Sequence, residues 1–501
     1  MLDTAPRLRN AAIVLLAQVF ALLPAVCAQE YDIAIAGGRV MDPESGLDAA
    51  RHVGIRDGKI AAIAETPLKG KQTIDATGLV VAPGFIDLHA HGMNAESSVL
   101  QAGDGVTTAL EMEIGVFPVA PWYEKMKGNF LINYGATVSH LGARVKIKEG
   151  IDLGHSATAD PELRAKIAQG GWAYAVATDE EIGQLAGLLE TGLAEGALGL
   201  GFGIGYTPKA SHREVFHMFQ VAGKVGAPCF VHSRSGKDFS DGESVGAIQE
   251  IMANAIATGA PLHIVHINST GGPQAKVLLE MVRGAKAHGM DITAEAYPYN
   301  ASSTLLQSAL FDGEDWEKES GRKYGDIMWV KTGERLTKET FDKYRKIGGW
   351  VVLFGMDEEM IEWLVSQPDV IIATDGIPFV DGKSHPRGAG SFARVLGHYV
   401  RERKVLGLMD ALRKMTLMPA QRLESYVPMM KKKGRVAVGA DADITVFNAD
   451  TVIDKATFME PAQHSEGIMH VLVGGIAVVR DNEPVPGVMP GRPIMSKAVA
   501  P

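Results

Sequence analysis

The chain has 501 residues, 46% of them hydrophobic and 22% charged, with a mean hydropathy near zero. This balance excludes a disordered, fibrous or polytopic membrane protein, and the length suits two or three domains or one large barrel with an appendage. A net charge of −10 with no long basic run argues against a nucleic-acid partner, and two cysteines exclude a disulfide framework.

Residues 1–28 read as a secretory signal peptide. Arg7 and Arg9 precede an apolar run over 11–26, and Val26-Cys27-Ala28 offers small residues for cleavage. The run is broken by Gln18 and Pro24 and falls short of the ~20 residues a membrane span needs. Cleavage and export to the periplasm or medium are expected, with no stable membrane insertion afterwards. Cys229 is then the only thiol.

Over 29–83 the pattern alternates with a period of two between Gly and Asp turns, and Arg56-Asp57-Gly58-Lys59 reads as a hairpin turn. Residues 430–486 repeat that texture. Neither segment buries a core by itself, so the two are expected to build one small β-sandwich, with 487–501 a C-terminal tail. Lys431-Lys432-Lys433 reads as a solvated turn between the two parts.

The middle, 84–429, alternates apolar strand-like runs with helix-like stretches such as "DEEIGQLAGLLETGLAEG". About eight βα units predict an α/β fold, a TIM-type (β/α)8 barrel. A charged segment at 311–349 breaks the rhythm and is either a lid over the barrel mouth or a solvated excursion.

In "APGFIDLHAHG" His89 and His91 stand two apart, which on a strand puts both imidazoles on one face, within reach of one cation. His232 ends "PCFVHS", His266 ends "LHIVH" and Asp375 ends "VIIATD". These five metal-capable side chains fall at the carboxyl ends of predicted parallel strands, where barrel active sites are built.

The Pro-Gly-Phe-Ile-Asp-x-His-x-His run with the strand-end histidines and late Asp resembles the amidohydrolase superfamily. "EAYPYNASST", "SHPRGAGSFARVLGHYVRE" and "GADADITVFNAD" resemble its D-aminoacylase (N-acyl-D-amino-acid deacylase) branch. The resemblance implies a zinc-dependent barrel hydrolase, with one or two divalent ions, that cleaves the amide of a small N-acyl amino acid. That branch usually has a metal-binding Cys after Gly-Val-Thr-Thr; here the strand reads "GVTTALEMEIG". Alternation puts Ala109, Glu111 and Glu113 on one face, so a glutamate can stand in; Glu113, nearest the branch's usual Cys position counted from Gly-Val-Thr-Thr and nearer the strand end, is the expected ligand and Glu111 the alternate. The branch often carries a Lys two residues after the His266 position, where this chain has Asn268.

The resemblance further implies carboxylate recognition by Arg387 and Tyr297, with Ser303 and Ser302 as candidates from the same loop. Asp375 is placed to act as general base and then acid on a metal-activated water. The alternatives are a dipeptidase or a cyclic-amide hydrolase of the dihydroorotase or hydantoinase kind, or a non-catalytic binding protein on the same fold. The cyclic-amide enzymes commonly bridge their metals with a carboxylated Lys on the fourth strand, and "GALGLGFGIGY" has none.

Overall fold

The computed structural model describes residues 30–155, 171–234 and 241–496; the expected signal peptide lies outside them. Among the described residues no helix is long and apolar enough to cross a membrane.

Both ends of the chain enter one nine-stranded sheet. The N-terminal strands Tyr31–Asp42, Leu47–Arg56, Lys59–Ala64, Gly70–Asp75 and Val80–Pro83 meet the C-terminal ones where Ile444–Phe447 runs antiparallel to Val80–Pro83. The sheet closes over a core of its own that includes Ile33, Val53, Ile74, Val446 and Leu472. The hairpin expected at 56–59 is present, with Asp57 and Gly58 both at positive φ (51° and 70°), as a turn of the primed type requires. Lys433 departs from the solvated-turn reading: it is buried and donates to Asp443 at 2.6 Å, with Asp441 at 3.0 Å, while Lys431 and Lys432 stay exposed. The buried Asp443, just before the strand Ile444–Phe447, recruits this lysine inward with the half-buried Asp441 beside it, because an unpaired carboxylate there costs more than burying the pair.

The middle forms a parallel barrel of eight strands: Phe85–Asp87, Val106–Phe117, Asn133–Ser139, Leu200–Gly203, Cys229–His232, Leu262–Ile264, Ile292–Ala296 and Val370–Ile372. The seam between the eighth and first strands is closed largely by a side chain. The Asp87 carboxylate accepts the amides of Thr374 and His89, both at 3.0 Å, and the Thr374 hydroxyl at 2.5 Å, and the His91 amide donates to Gly376 O at 2.9 Å. Ile86, Leu110, Phe230, Val265 and Ile371 pack with Leu423 and Met430 in one fully buried cluster. Each such side chain contributes about 1.5–3 kcal/mol, which offsets the cost of the polar groups buried nearby.

The helix expected from "DEEIGQLAGLLETGLAEG" spans Asp179–Ala194. It opens with a Thr178/Glu181 capping box and buries Ile182, Leu185, Leu189 and Leu193, one stripe at helical spacing.

The charged segment is a folded wall rather than a solvated excursion. Strands Ala301–Leu305, Ile327–Trp329, Glu334–Arg335 and Trp350–Phe354 make a four-stranded antiparallel sheet. Phe311, Trp316, Trp329 and Phe341 form its core, and Leu310, Phe311, Trp316 and Trp350 line a cavity over the barrel mouth.

Candidate metal centre

His89 and His91 follow the first strand, Glu113 lies late in the second, His232 ends the fifth, and His266 and Asp375 follow the sixth and eighth. The structure brings all six together. Glu113 is at the middle: its Oε2 lies 3.0 Å from both His89 Nε2 and His91 Nε2, and its Oε1 lies 2.6 Å from His232 Nδ1 and 3.2 Å from His266 Nε2. Asp375 Oδ1 stands 3.5 Å from both His89 Nε2 and His91 Nε2. Two sets of metal-capable atoms result, His89, His91, Glu113 and Asp375 on one side and Glu113, His232 and His266 on the other. One carboxylate shared between two imidazole pairs is the geometry of a bridging ligand.

Local backbone aims these groups. His266 (φ 32°) and Asp375 (φ 51°) both occupy the left-handed region just past their strands. Such a conformation costs a non-glycine residue about 1–3 kcal/mol and persists where surrounding structure enforces it. At Gly205 a Cβ would sit 2.9 Å from His232 Nε2, so only hydrogen fits beside that ring.

The electrostatics ask for positive charge. Burial disfavours a carboxylate at Glu113, yet the His89 charge and hydrogen bonds from His232, His266 and His89 outweigh it and hold the group well below the ordinary range. Burial likewise opposes charge on His89 and His91. Asp375, Glu295 and Glu113 around the first, and Glu111, Asp375 and Glu113 around the second, lift both well above the usual histidine value. Burial keeps His232 below its ordinary value, with an unprotonated nitrogen available. A divalent cation meets the same demand by displacing protons, so the donor set of imidazoles and carboxylates fits a Zn²⁺-like ion.

Asp375 is also held low: burial raises it, but Arg387 and then His89 prevail. Arg387 Nη2 lies 3.0 Å from Asp375 Oδ1, the guanidinium stacks 4.6 Å above the Tyr297 ring, and Nε and Nη1 are buried without a hydrogen-bond partner among the described residues. Arg387 and Tyr297 are both buried and stand behind the cavity wall, next to Asp375, whereas Ser302 and Ser303 line the cavity itself. Ser303 spends its hydroxyl on Val351 O at 2.7 Å. Asn268 donates to Tyr297 O at 3.3 Å, deep in the structure.

Several participants escaped the sequence reading. Tyr206 lines the cavity with its ring 4.7 Å from that of His232. Burial and the Glu113 charge keep its phenol protonated well above the ordinary range. Glu295 accepts from His89 Nδ1 at 2.5 Å and from His263 Nε2 at 3.0 Å. Glu111 is not in either shared set; it faces the far nitrogen of His91. Arg144, buried against Glu214, donates to Trp172 O at 2.8 Å and Ala175 O at 2.6 Å and so anchors the loop that supplies the cavity residues Trp172 and Tyr174.

An eight-stranded barrel with histidines, a shared carboxylate and an aspartate at its strand ends defines a metal-assisted barrel hydrolase. The Amidohydrolase family model matches residues 72–479, and the chain belongs to that family. It is 31% identical to an N-acyl-D-glutamate deacylase of Alcaligenes xylosoxydans xylosoxydans, over 90% of this chain and 94% of that one. A D-aminoacylase of the same organism is 29% identical, over 90% and 95%. Among solved structures, an N-acyl-D-glutamate deacylase from Bordetella bronchiseptica, complexed with zinc and a phosphonate mimic of the tetrahedral intermediate, superposes with a TM-score of 0.76. It is 26% identical and covers 93% of this chain and all of that one.

Proposed function

We propose that this chain is a metal-dependent amidohydrolase that removes the acyl group from N-acyl-D-amino acids. The observation that carries the reading is Glu113 set between two histidine pairs, with Asp375 beside them at the floor of the cavity. The full-length similarity to N-acyl-D-glutamate deacylase and D-aminoacylase supports the substrate class. The lysine-free fourth strand, Leu200–Gly203, supports an acyclic amide over a cyclic one. Export belongs to the same reading and is supported by the pattern of residues 1–28.

His89, His91, Glu113 and Asp375 would hold one Zn²⁺-like ion, and Glu113, His232 and His266 would hold a second. When bound, such an ion lowers the pKa of a coordinated water toward neutrality and polarises the scissile carbonyl. Asp375 takes the proton of the attacking water on its carboxylate and returns it to the departing amine nitrogen. Arg387, stacked on Tyr297, keeps that carboxylate ionised between turnovers and, from behind the cavity wall, lends the site positive charge for a substrate carboxylate. Tyr206, still protonated, presents a hydroxyl to the cavity, and the apolar wall of Leu310, Phe311 and Trp350 excludes water around the amide.

The test is amine release from matched N-acetyl-D- and N-acetyl-L-amino acids by metal-analysed protein. Release confined to the D series bears the proposal out. Bound metal with release from neither series, but from dipeptides or cyclic amides, replaces it. Asp375→Asn is expected to lower kcat by about 10²–10⁴-fold while metal content stays within twofold. A variant that keeps most of its turnover removes Asp375 from proton transfer.

A further inference from the structure

The second barrel strand buries two glutamates, and the metal reading uses one. We infer that the other, Glu111, forms with His155 a positioning pair that sets the orientation and tautomer of His91; this rests on the metal-site reading above. Glu111 Oε2 accepts from His91 Nδ1 at 2.7 Å and from His155 Nε2 at 2.6 Å, while Oε1 faces the amides of Ile114 and Gly115 at 3.3 and 3.4 Å. A proton held on Nδ1 leaves the lone pair of His91 on Nε2, and Nε2 is the atom turned toward Glu113 and Asp375.

His89 is served in the same way from the other side. Its Nδ1 meets Glu295, and Glu295 continues to His263, whose Nδ1 lies 2.7 Å from Thr293 Oγ1. The two relays end differently. The Glu295 relay runs through the buried Glu295 and His263 and ends within the barrel strands, on the half-buried Thr293. The Glu111 relay ends on His155, whose side chain is 12% exposed and sits on the short strand Gly154–His155, paired antiparallel to the end of the second barrel strand. Leu153, two residues before His155, lines the cavity. The segment that shapes the cavity is thereby tied through one imidazole to the aim of a metal ligand.

His91, Glu111 and His155 also satisfy the spacing of an ion site. Occupying it would require His91 to lose its Nδ1 proton while Nε2 binds another ion, and two short hydrogen bonds already satisfy the carboxylate without that.

The experiment is zinc affinity by chelator competition, with the visible spectrum of the Co²⁺-substituted protein, on wild type, Glu111→Gln, His155→Phe and His155→Gln. Glu111→Gln is expected to weaken one ion by about 10–100-fold, shift the cobalt bands and leave the other ion within threefold. His155→Phe should move both readouts in the same direction. His155→Gln, which still donates an N–H, should restore most of the affinity. Wild-type affinity and spectrum in Glu111→Gln overturn the inference, as does a third zinc equivalent lost with Glu111. Should Glu111→Gln not fold, the partly exposed His155 pair carries the same decision. A wild-type chain that binds no ion removes the metal-site reading itself, a failure visible before any variant is made.

Discussion

Glu113→Gln is expected to cost the protein most of its bound metal and at least about 100-fold in turnover, the upper end of what even supporting residues of such sites cost. The reason is geometric. The amide cannot supply two anionic oxygens, one 3.0 Å from the His89 and His91 nitrogens and the other 2.6–3.2 Å from His232 and His266. Glu113→Asp keeps the charge but loses a methylene, so it reaches one histidine pair and should retain a single ion. Metal stoichiometry by plasma mass spectrometry, beside amine release, decides it. Wild-type metal and turnover in Glu113→Gln would end the bridging assignment.

The second large effect is on stability. Glu214 is buried, accepts from His140 Nε2 at 2.8 Å and from Arg144 Nη1 at 2.6 and 2.5 Å, and is held down to about 2. Burial raises it, but His140 and Arg144 outweigh burial. An unfolded glutamate titrates near its ordinary value, so this depressed group stabilises the fold above about pH 4.3, and that contribution is lost as pH falls toward 2. Glu214→Gln strands the Arg144 charge and is expected to cost about 3–5 kcal/mol at pH 7. The gap to wild type should narrow below pH 4. Urea unfolding at pH 7 and pH 3 measures both. Equal stability at pH 7 would show that Arg144 finds another partner. Because Arg144 also holds Trp172 O and Ala175 O, KM should rise in the same variant before kcat falls.

The barrel was readable because its strands are short apolar runs between turns, and the histidines because alternation and strand ends both constrain them. His-x-His needs no tertiary knowledge to share a face. The choice between Glu111 and Glu113 was harder, since strict alternation treats them alike. The fold separates them through an irregularity: pairing with the third strand slips between Glu111 and Val116, and Gly115 turns to φ 70°. That break directs the two carboxylates to different neighbours, and alternation cannot express it.

Residues that act through others were silent for a related reason. His155 reaches Glu111 across a sequence separation of 44, and Glu295 reaches His89 across 206, so no local pattern marks them. Segment 311–349 left two readings open because its charges mask a core made of irregularly spaced aromatics. Phe311, Trp316, Trp329 and Phe341 were the available signal. Arg387 and Tyr297 follow from family likeness alone, and their place behind Asp375 came only from the fold.

That aromatic core has an evolutionary corollary. The cavity roof draws its cohesion from Trp316, Trp329 and Phe341, whereas the floor that carries the histidines draws its own from the barrel and its surrounding helices. Substitutions in the roof therefore change what is admitted without unsettling what is done to it. Such a division lets a lineage explore new acyl groups or side chains through one interchangeable module while the chemistry beneath is inherited intact.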